Sequence, residues 1–211
     1  METPGDSEML RSFYSLLESA SGYSVMQLLG LPTIRRYRAL VREYIPQGVE
    51  GRVLEIGCGI GTSRMMFAKN YTGIDINRNY IEKARQNFDG TFLVMDAAAM
   101  PFPPNTFDDA VCIATAHHLS DEQLGSMLRS ATTCASQIHL IDAILPLSQK
   151  SRFKNAIFRM DRGRHVRTLD QLRTIVAQNV KIQATHALEG PLHDVCYIRA
   201  ARGTVVTPLF H

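Results

Sequence analysis

No apolar run in the 211 residues approaches the length of a membrane span, and the opening Met1-Glu2-Thr3-Pro4-Gly5-Asp6 is acidic and polar where a secretion signal is basic and then apolar. Both absences predict a cytoplasmic protein without a spanning helix. Cysteine is sparse: Cys58, Cys112, Cys134 and Cys196 stand singly, with no C-x-x-C pair, so neither a disulfide framework nor a zinc site is expected and no metal is called for. The excess of one charge is small. A formal net charge of +3 is too weak to argue for nucleic acid or an anionic membrane as partner. Internal repeats and low-complexity segments are lacking as well. What remains is 45% hydrophobic residues over 211 positions, enough for one domain with a sizeable core.

The first fifty residues read as a helical lid or extension. Leu10, Phe13, Tyr14 and Leu17 repeat at helical spacing, as do Ile34, Tyr37, Leu40, Val41, Tyr44 and Ile45 behind Thr33 as N-cap, with Gly30-Leu31-Pro32 between them. From Gly51 to the C-terminus strands and helices alternate. Strand Val53–Ile56 leads to a helix over Thr62–Lys69, then strand Tyr71–Asp75, a helix from Asn77, and strand Thr91–Met95. After a Pro-rich loop come strand Ala110–Thr115, a helix opened by the capping box Ser120-Asp121-Glu122-Gln123, and a strand over Gln137–Ile144. Such alternation implies a doubly wound α/β sheet of parallel strands covered by helices on both faces. The ending differs. After a second capping box, Thr168-Leu169-Asp170-Gln171, two strand-like runs (Val180–Ala187 and Val195–Ala200) flank Gly190-Pro191, and so short a turn joins only antiparallel strands.

The densest local signal is Val53-Leu54-Glu55-Ile56-Gly57-Cys58-Gly59-Ile60-Gly61-Thr62: a buried strand, a three-glycine turn and a helix start. The glycines admit positive φ and let a ligand approach the backbone. Their G-x-G-x-G spacing departs from the G-x-G-x-x-G that seats a dinucleotide pyrophosphate, and with Glu55 ahead of them a cationic adenosine ligand fits better than a phosphorylated one. In an open α/β sheet ligands bind beyond the carboxyl ends of the strands, and Glu55, Asp75 and Asp96 all fall at such ends. Asp75 can accept both ribose hydroxyls. Asp96 can accept from an adenine amine while the Ala97 N–H donates to a ring nitrogen, or it caps the turn before Met100-Pro101.

With Gly73-Ile74-Asp75-Ile76, Asp96-Ala97, Met100-Pro101-Phe102, Thr106-Phe107-Asp108 and His117-His118-Leu119 in this order, residues 51–145 resemble a class I S-adenosylmethionine-dependent methyltransferase of the small-molecule type related to ubiquinone and menaquinone methyltransferases. The resemblance implies a Rossmann-like seven-stranded sheet with an antiparallel last strand, S-adenosylmethionine as cofactor and S-adenosylhomocysteine as product. It places Gly57, Gly59 and Gly61 against the methionine part, Asp75 at the ribose, Asp96 and Ala97 at adenine and Thr115 near the sulfonium, with Cys58 and Ile76 as further cofactor-binding residues. Glu55 either touches the cofactor or orients the loop.

Methyl transfer from a sulfonium is an in-line displacement that depends on placing the acceptor in a dry site. Where the acceptor carries a proton, a histidine suits its removal, and His117 and His118 stand at the end of the fourth strand, His118 being favoured to face the substrate. Both histidines can equally order the loop. The basic insertion over about residues 146–167 continues to Arg173; in it Arg162, Arg164, His165 and Arg167 either bind a carboxylate or phosphate of the acceptor or form a solvated face. Tyr14, in the N-terminal lid, is a candidate to cover the substrate. Arg35, Arg36, Arg38 and Arg42 would allow peripheral membrane association if the acceptor is a lipid.

The expected activity is transfer of a methyl group to O, N or C of a small-molecule or lipid-like acceptor. Two alternatives compete with it: a protein that binds S-adenosylmethionine without transferring its methyl, and a nicotinamide-dependent oxidoreductase, against which the glycine spacing and Asp96-Ala97 both argue. Nucleic acid is not an expected partner, and the sequence leaves oligomeric state open.

Overall fold

The computed structural model describes residues 37–45, 51–67, 70–147, 165–190 and 194–203. The chain divides into two compact units, Met1–Ala39 and Leu40–His211. The first holds little that is described; residues 37–44, which cross the boundary, are helical. Most of the expected N-terminal lid, Tyr14 included, lies outside the described residues.

The second unit is built on seven strands: β1 (Val53–Ile56), β2 (Tyr71–Asp75), β3 (Thr91–Val94), β4 (Phe107–Ile113), β5 (Ala135–Ile144), β6 (Lys181–Leu188) and β7 (Asp194–Ala201). They lie in the order β3-β2-β1-β4-β5-β7-β6. The pairs from β3 to β5 are parallel, whereas β7 is antiparallel to both β5 and β6. The doubly wound, Rossmann-like sheet with one reversed strand is therefore the fold. Among the described residues after Gly51 three α-helices accompany it: α1 (Arg78–Asn87), α2 (Asp121–Cys134) and α3 (Leu169–Asn179).

Alternation along the strands gives the sheet two unlike faces. Leu54 and Ile56 of β1, Ala110 and Cys112 of β4, Ile138 and Leu140 of β5 and Ile198 of β7 form one apolar layer with Leu124, Met127 and Leu128 of α2 and Leu172 and Val176 of α3. Truncating a side chain such as Leu124 there to alanine costs about 2–5 kcal/mol. The opposite face carries polar groups: Glu55, Tyr71, Asp109, His139 and Tyr197, all buried.

The helix starts follow their caps. Ser120 and Gln123 bond reciprocally before α2, and Thr168 and Gln171 do so before α3. Asn77 accepts from the N–H groups of Asn79 and Tyr80 at the head of α1. The helix expected over Thr62–Lys69 is instead a 3₁₀ turn, Thr62–Met66, that lacks a side-chain cap because Gly61 stands at its N-cap in the left-handed region. Arg64 closes it by donating to Phe67 O and Asp89 O. Strand β4 begins earlier and ends earlier than the expected Ala110–Thr115. Asp108 and Asp109, outside the expected strand, are held in it: Asp108 takes Arg52 N and Nη2, each at 2.8 Å, and Asp109 is buried against His139. Hydrogen bonds from Arg52 hold the Asp108 carboxyl below its ordinary range.

Candidate functional site

Strand order reverses between β1 and β4, so their carboxyl ends stand side by side with β2 beyond β1. The glycine turn after β1, the end of β2 and the turn Ala114–His118 after β4 meet here. Gly57, Gly59 and Gly61 have φ of +75°, +55° and +83°. They serve two different ends. A Cβ on Gly57 would lie 2.3 Å from Thr115 Cγ2 and Oγ1, and one on Gly61 would press on Ala84, Phe88 and Phe92 at 3.1 Å. On Gly59 it would meet nothing within 4 Å. Gly57 and Gly61 thus permit internal packing, while Gly59 presents bare backbone to open space.

The turn is tied to β2. Gly57 N and Cys58 N both donate to Ile74 O, at 2.8 and 2.9 Å, and Gly59 N donates to Asp75 Oδ2 at 2.9 Å. Asp75 Oδ1 takes Asn77 N at 2.8 Å. Each carboxylate oxygen has two lone pairs, so these bonds fix Asp75 at the strand end with acceptor capacity remaining. Ile76 follows it and is 73% exposed, an apolar surface beside an acceptor. Asp96, exposed at the end of β3, accepts the Ala98 N–H at 2.8 Å and so shapes its own turn; Ala97 is half-buried. Cys58 is buried, and burial pushes its thiol up.

Glu55 lies beneath the turn. Its two oxygens take the hydroxyls of Ser63 and Tyr71, and burial, opposed by these bonds, raises its carboxyl to about 7. It braces the strand end from inside. The hydroxyls of Ser63 and Tyr71 give no signal in the sequence, since an isolated Ser or Tyr carries no pattern.

After β4 the backbone is strained: Ala114 has φ of +50°, a conformation that a residue with a Cβ rarely adopts. Its N–H donates to Ile141 O at 2.8 Å, which holds the turn to β5. The Thr115 hydroxyl lies 3.2 Å from Gly57 O and 3.0 Å from Ile113 O, joining this turn to the glycine turn. Ala116–His118 then form a 3₁₀ turn. His117 is buried and His118 exposed, their rings 4.1 Å apart between centroids. From β5, Asp142 reaches both the backbone and the ring of His117: Oδ2 accepts His117 N at 2.8 Å, and Oδ1 lies 2.5 Å from His117 Nδ1. Ala143 N also donates to Oδ1, at 2.7 Å. Sequence reasoning missed Asp142, for a lone Asp in an apolar strand has no local partner to betray it.

Arg167 requires a correction. Expected among the acceptor-binding cations, it is buried with all five N–H groups engaged within the protein: Nε and Nη2 with Asp121 Oδ1, Nη1 with Ala116 O and His165 O, and Nη2 with Leu119 O. No donor is left over for an anion. Its neighbour His165 donates its N–H to His117 O at 3.0 Å, and Arg167 O accepts Leu145 N at 2.8 Å. Arg162 and Arg164 lie outside the described residues. Among the described residues no group of acids, histidines and cysteines could hold a metal, and no helix is long and apolar enough to cross a membrane.

Comparison with known proteins gives this arrangement a context. Residues 53–137, which contain the glycine turn, Asp75, Asp96 and both histidines, match a family model described as a methyltransferase domain. Over 78 residues the chain is 35% identical to 2-methyl-6-phytyl-1,4-hydroquinone methyltransferase of Synechocystis sp., and over another 78-residue alignment it is 38% identical to a fatty-acid O-methyltransferase of Mycolicibacterium smegmatis. Each alignment takes in 33% of this chain, and 24% and 28% of those relatives respectively, so the chain spans well under a third of their length in the matched part. Magnesium protoporphyrin IX methyltransferase of Synechocystis PCC 6803, solved with bound SAH, superposes with a TM-score of 0.63 at 16% identity, covering 92% of this chain and 100% of that one. The [4+2]-cyclase SpnF superposes equally well, with a TM-score of 0.63 at 15% identity over 79% of this chain and 80% of its own. Likeness at that identity is likeness of fold.

Proposed function

We propose that this chain, whose fold is that of the class I methyltransferases and whose residues 53–137 match their domain, binds S-adenosylmethionine and methylates an O, N or C atom of a small-molecule or lipid-like acceptor. The observation that carries the cofactor is the pairing of bare Gly59 backbone, open to space, with Asp75 held at the strand end beside exposed Ile76. In this reading Asp75 takes the ribose hydroxyls, Ile76 lies on the apolar side of the nucleoside, and Asp96 with Ala97 meets the adenine edge. Gly57, Cys58, Gly59, Gly61 and Thr115 surround the methionine end, and Glu55 keeps their turn in shape. The cofactor supplies a methyl group on a sulfonium, open to in-line displacement. The residues of the chain position the acceptor and exclude water. His117 and His118 are the catalytic candidates, and Tyr14, Arg162, Arg164 and the His165 side chain those for the acceptor, an anionic one included. A cytoplasmic location, with peripheral membrane contact where the acceptor is a lipid, completes the reading.

Calorimetry with S-adenosylhomocysteine tests the cofactor. Micromolar binding to the wild type, weakened at least tenfold by Asp75→Ala, is expected; no binding to either protein sinks the proposal. Incubation with methyl-labelled cofactor and fractionated cell extract then identifies the acceptor by the mass of the labelled product.

A further inference from the structure

We infer that Asp142 is a positioning residue that fixes the ring of His117 as the proton acceptor of the reaction, and that the substrate class is therefore a protic one, a hydroxyl or an acidic C–H rather than a carboxylate. The inference rests on the methyl-transfer reading and deepens it. Asp142 is 1% exposed and comes from β5, while His117 comes from the turn after β4; their contact is made by the fold across 25 residues of sequence. Backbone N–H groups of His117 and Ala143 already donate to the two carboxylate oxygens. Asp142 consequently meets Nδ1 as an acceptor, which puts the ring proton on Nδ1 and makes Nε2 the basic nitrogen of the neutral ring. Two residues before His117, Thr115 touches the Gly57 turn, which the methyl-transfer reading sets at the methionine end of the cofactor.

The surrounding charges agree with this use. His118 packs against the ring, His165 binds the His117 carbonyl through its backbone, and the Arg167 guanidinium donates to Ala116 O, Leu119 O and Asp121, which turns its hydrogen bonds onto the loop backbone. Among the described residues Asp142 is a carboxylate in direct contact with the His117 ring. As the acceptor oxygen or carbon forms its bond to the methyl, its proton passes to His117 Nε2 and the carbon–sulfur bonding pair stays on sulfur. The resulting imidazolium is stabilised by the Asp142 carboxylate. A carboxylate acceptor carries no proton to lose and has no use for the pair.

The test uses the full chain labelled with ¹⁵N-histidine, in long-range proton–nitrogen spectra with saturating S-adenosylhomocysteine. His117 is expected as the Nδ1–H tautomer in the wild type and as Nε2–H or a mixture in Asp142→Asn, with cofactor affinity within threefold of wild type. In the labelled-extract assay Asp142→Asn lowers transfer about 10²–10⁴-fold, the range of general-base contributions, through kcat rather than KM, and Asp142→Glu restores part of it. The Nε2–H tautomer in the wild type overturns the inference, as does a labelled product that is the methyl ester of a carboxylic acid. A variant that loses cofactor affinity in step with turnover also overturns it. Absence of S-adenosylhomocysteine binding in the wild type overturns the methyl-transfer reading while leaving the tautomer measurable.

Discussion

Among the described residues stand two buried aspartate–histidine pairs, and their difference lies in what surrounds the same chemical unit. His117–Asp142 sits at the carboxyl end of the sheet, while His139–Asp109 lies within it, on the polar face, at 2.9 Å. His139 is closed at both ring nitrogens: Nε2 meets Asp109, and Nδ1 meets the Tyr197 hydroxyl at 2.9 Å. Tyr197 is stacked in turn on Tyr44, with centroids 4.5 Å apart, and its phenol is pushed up to about 12, chiefly by burial. Asp109 keeps one oxygen, Oδ2, buried with no hydrogen-bond partner among the described residues. The aspartate of the other pair is the better supported, with two backbone N–H donors as well as the ring. A pair enclosed in a strand face gives register and specificity to the core. One set on a strained turn next to an open glycine loop is the pair that the proposed reaction would use.

Exchanging histidines separates the two roles most sharply. His117→Gln should reduce methyl transfer about 10²–10⁴-fold while leaving cofactor binding in place, as labelled transfer and calorimetry would show. His139→Leu should do the reverse: a loss of about 3–5 kcal/mol in denaturant unfolding, because Asp109 is left as an uncompensated buried charge, with unchanged turnover per folded molecule. Equal damage to turnover from both variants would dissolve the distinction.

Replacing both members of the inner pair, in His139→Leu/Asp109→Leu, should recover most of that stability, since an apolar pair leaves no charge uncompensated. The same unfolding experiment reads it. Failure to recover would mean that Tyr197, deprived of its partner, carries the cost instead.

Glu55 offers a third buried carboxyl, paired with hydroxyls and not with a histidine, and its consequence is a pH dependence. Its value in the folded chain is raised from 4.5 to about 7, so the native state binds the extra proton between those limits. Stability from this group is fully present below about pH 4.5 and is lost as pH rises through about 7, with a slope of at most about 1.4 kcal/mol per pH unit. Melting curves across that window should flatten in Glu55→Gln. An unchanged profile would remove Glu55 from the account.

Smallest is the effect expected at the thiols. All four cysteines are buried, and Cys196 is pushed up to about 12, first by burial and then by Asp142. Iodoacetamide at pH 8 should label none of them in the folded wild type or in Asp142→Asn, because burial dominates. Rapid labelling of Cys112 or Cys196 in the variant would show that Asp142 also holds the sheet closed.

What the sequence reveals is what is local. The glycine turn, both capping boxes and the reversed last strand are each written within a few adjacent residues, and Lys181–Leu188 and Asp194–Ala201 lie within two residues of their expected limits at each end. What it conceals is pairing at a distance. Phe107–Asp109 stays outside the expected strand until Arg52 and His139 are brought to it, and Asp142 is silent until β5 lies beside β4. Arg167 misleads for the same reason: within a run of cations it resembles an anion site, yet its hydrogens go to Asp121, to Ala116 O and Leu119 O of the histidine loop and to His165 O.

The stitches around Arg167 carry a further consequence for variation. Leu145 and Arg167 are joined backbone to backbone, and His165 is fastened to His117, so the chain leaves the sheet and comes back at one pinned point. Closing a longer or shorter excursion between fixed ends costs little more than closing the present one, because the entropy of closure grows only with the logarithm of length. Leu145 and Arg167 thereby act as a clamp: the register of the end of β5 is secured by the bond between these two residues, whatever the number of residues that separates them in the chain.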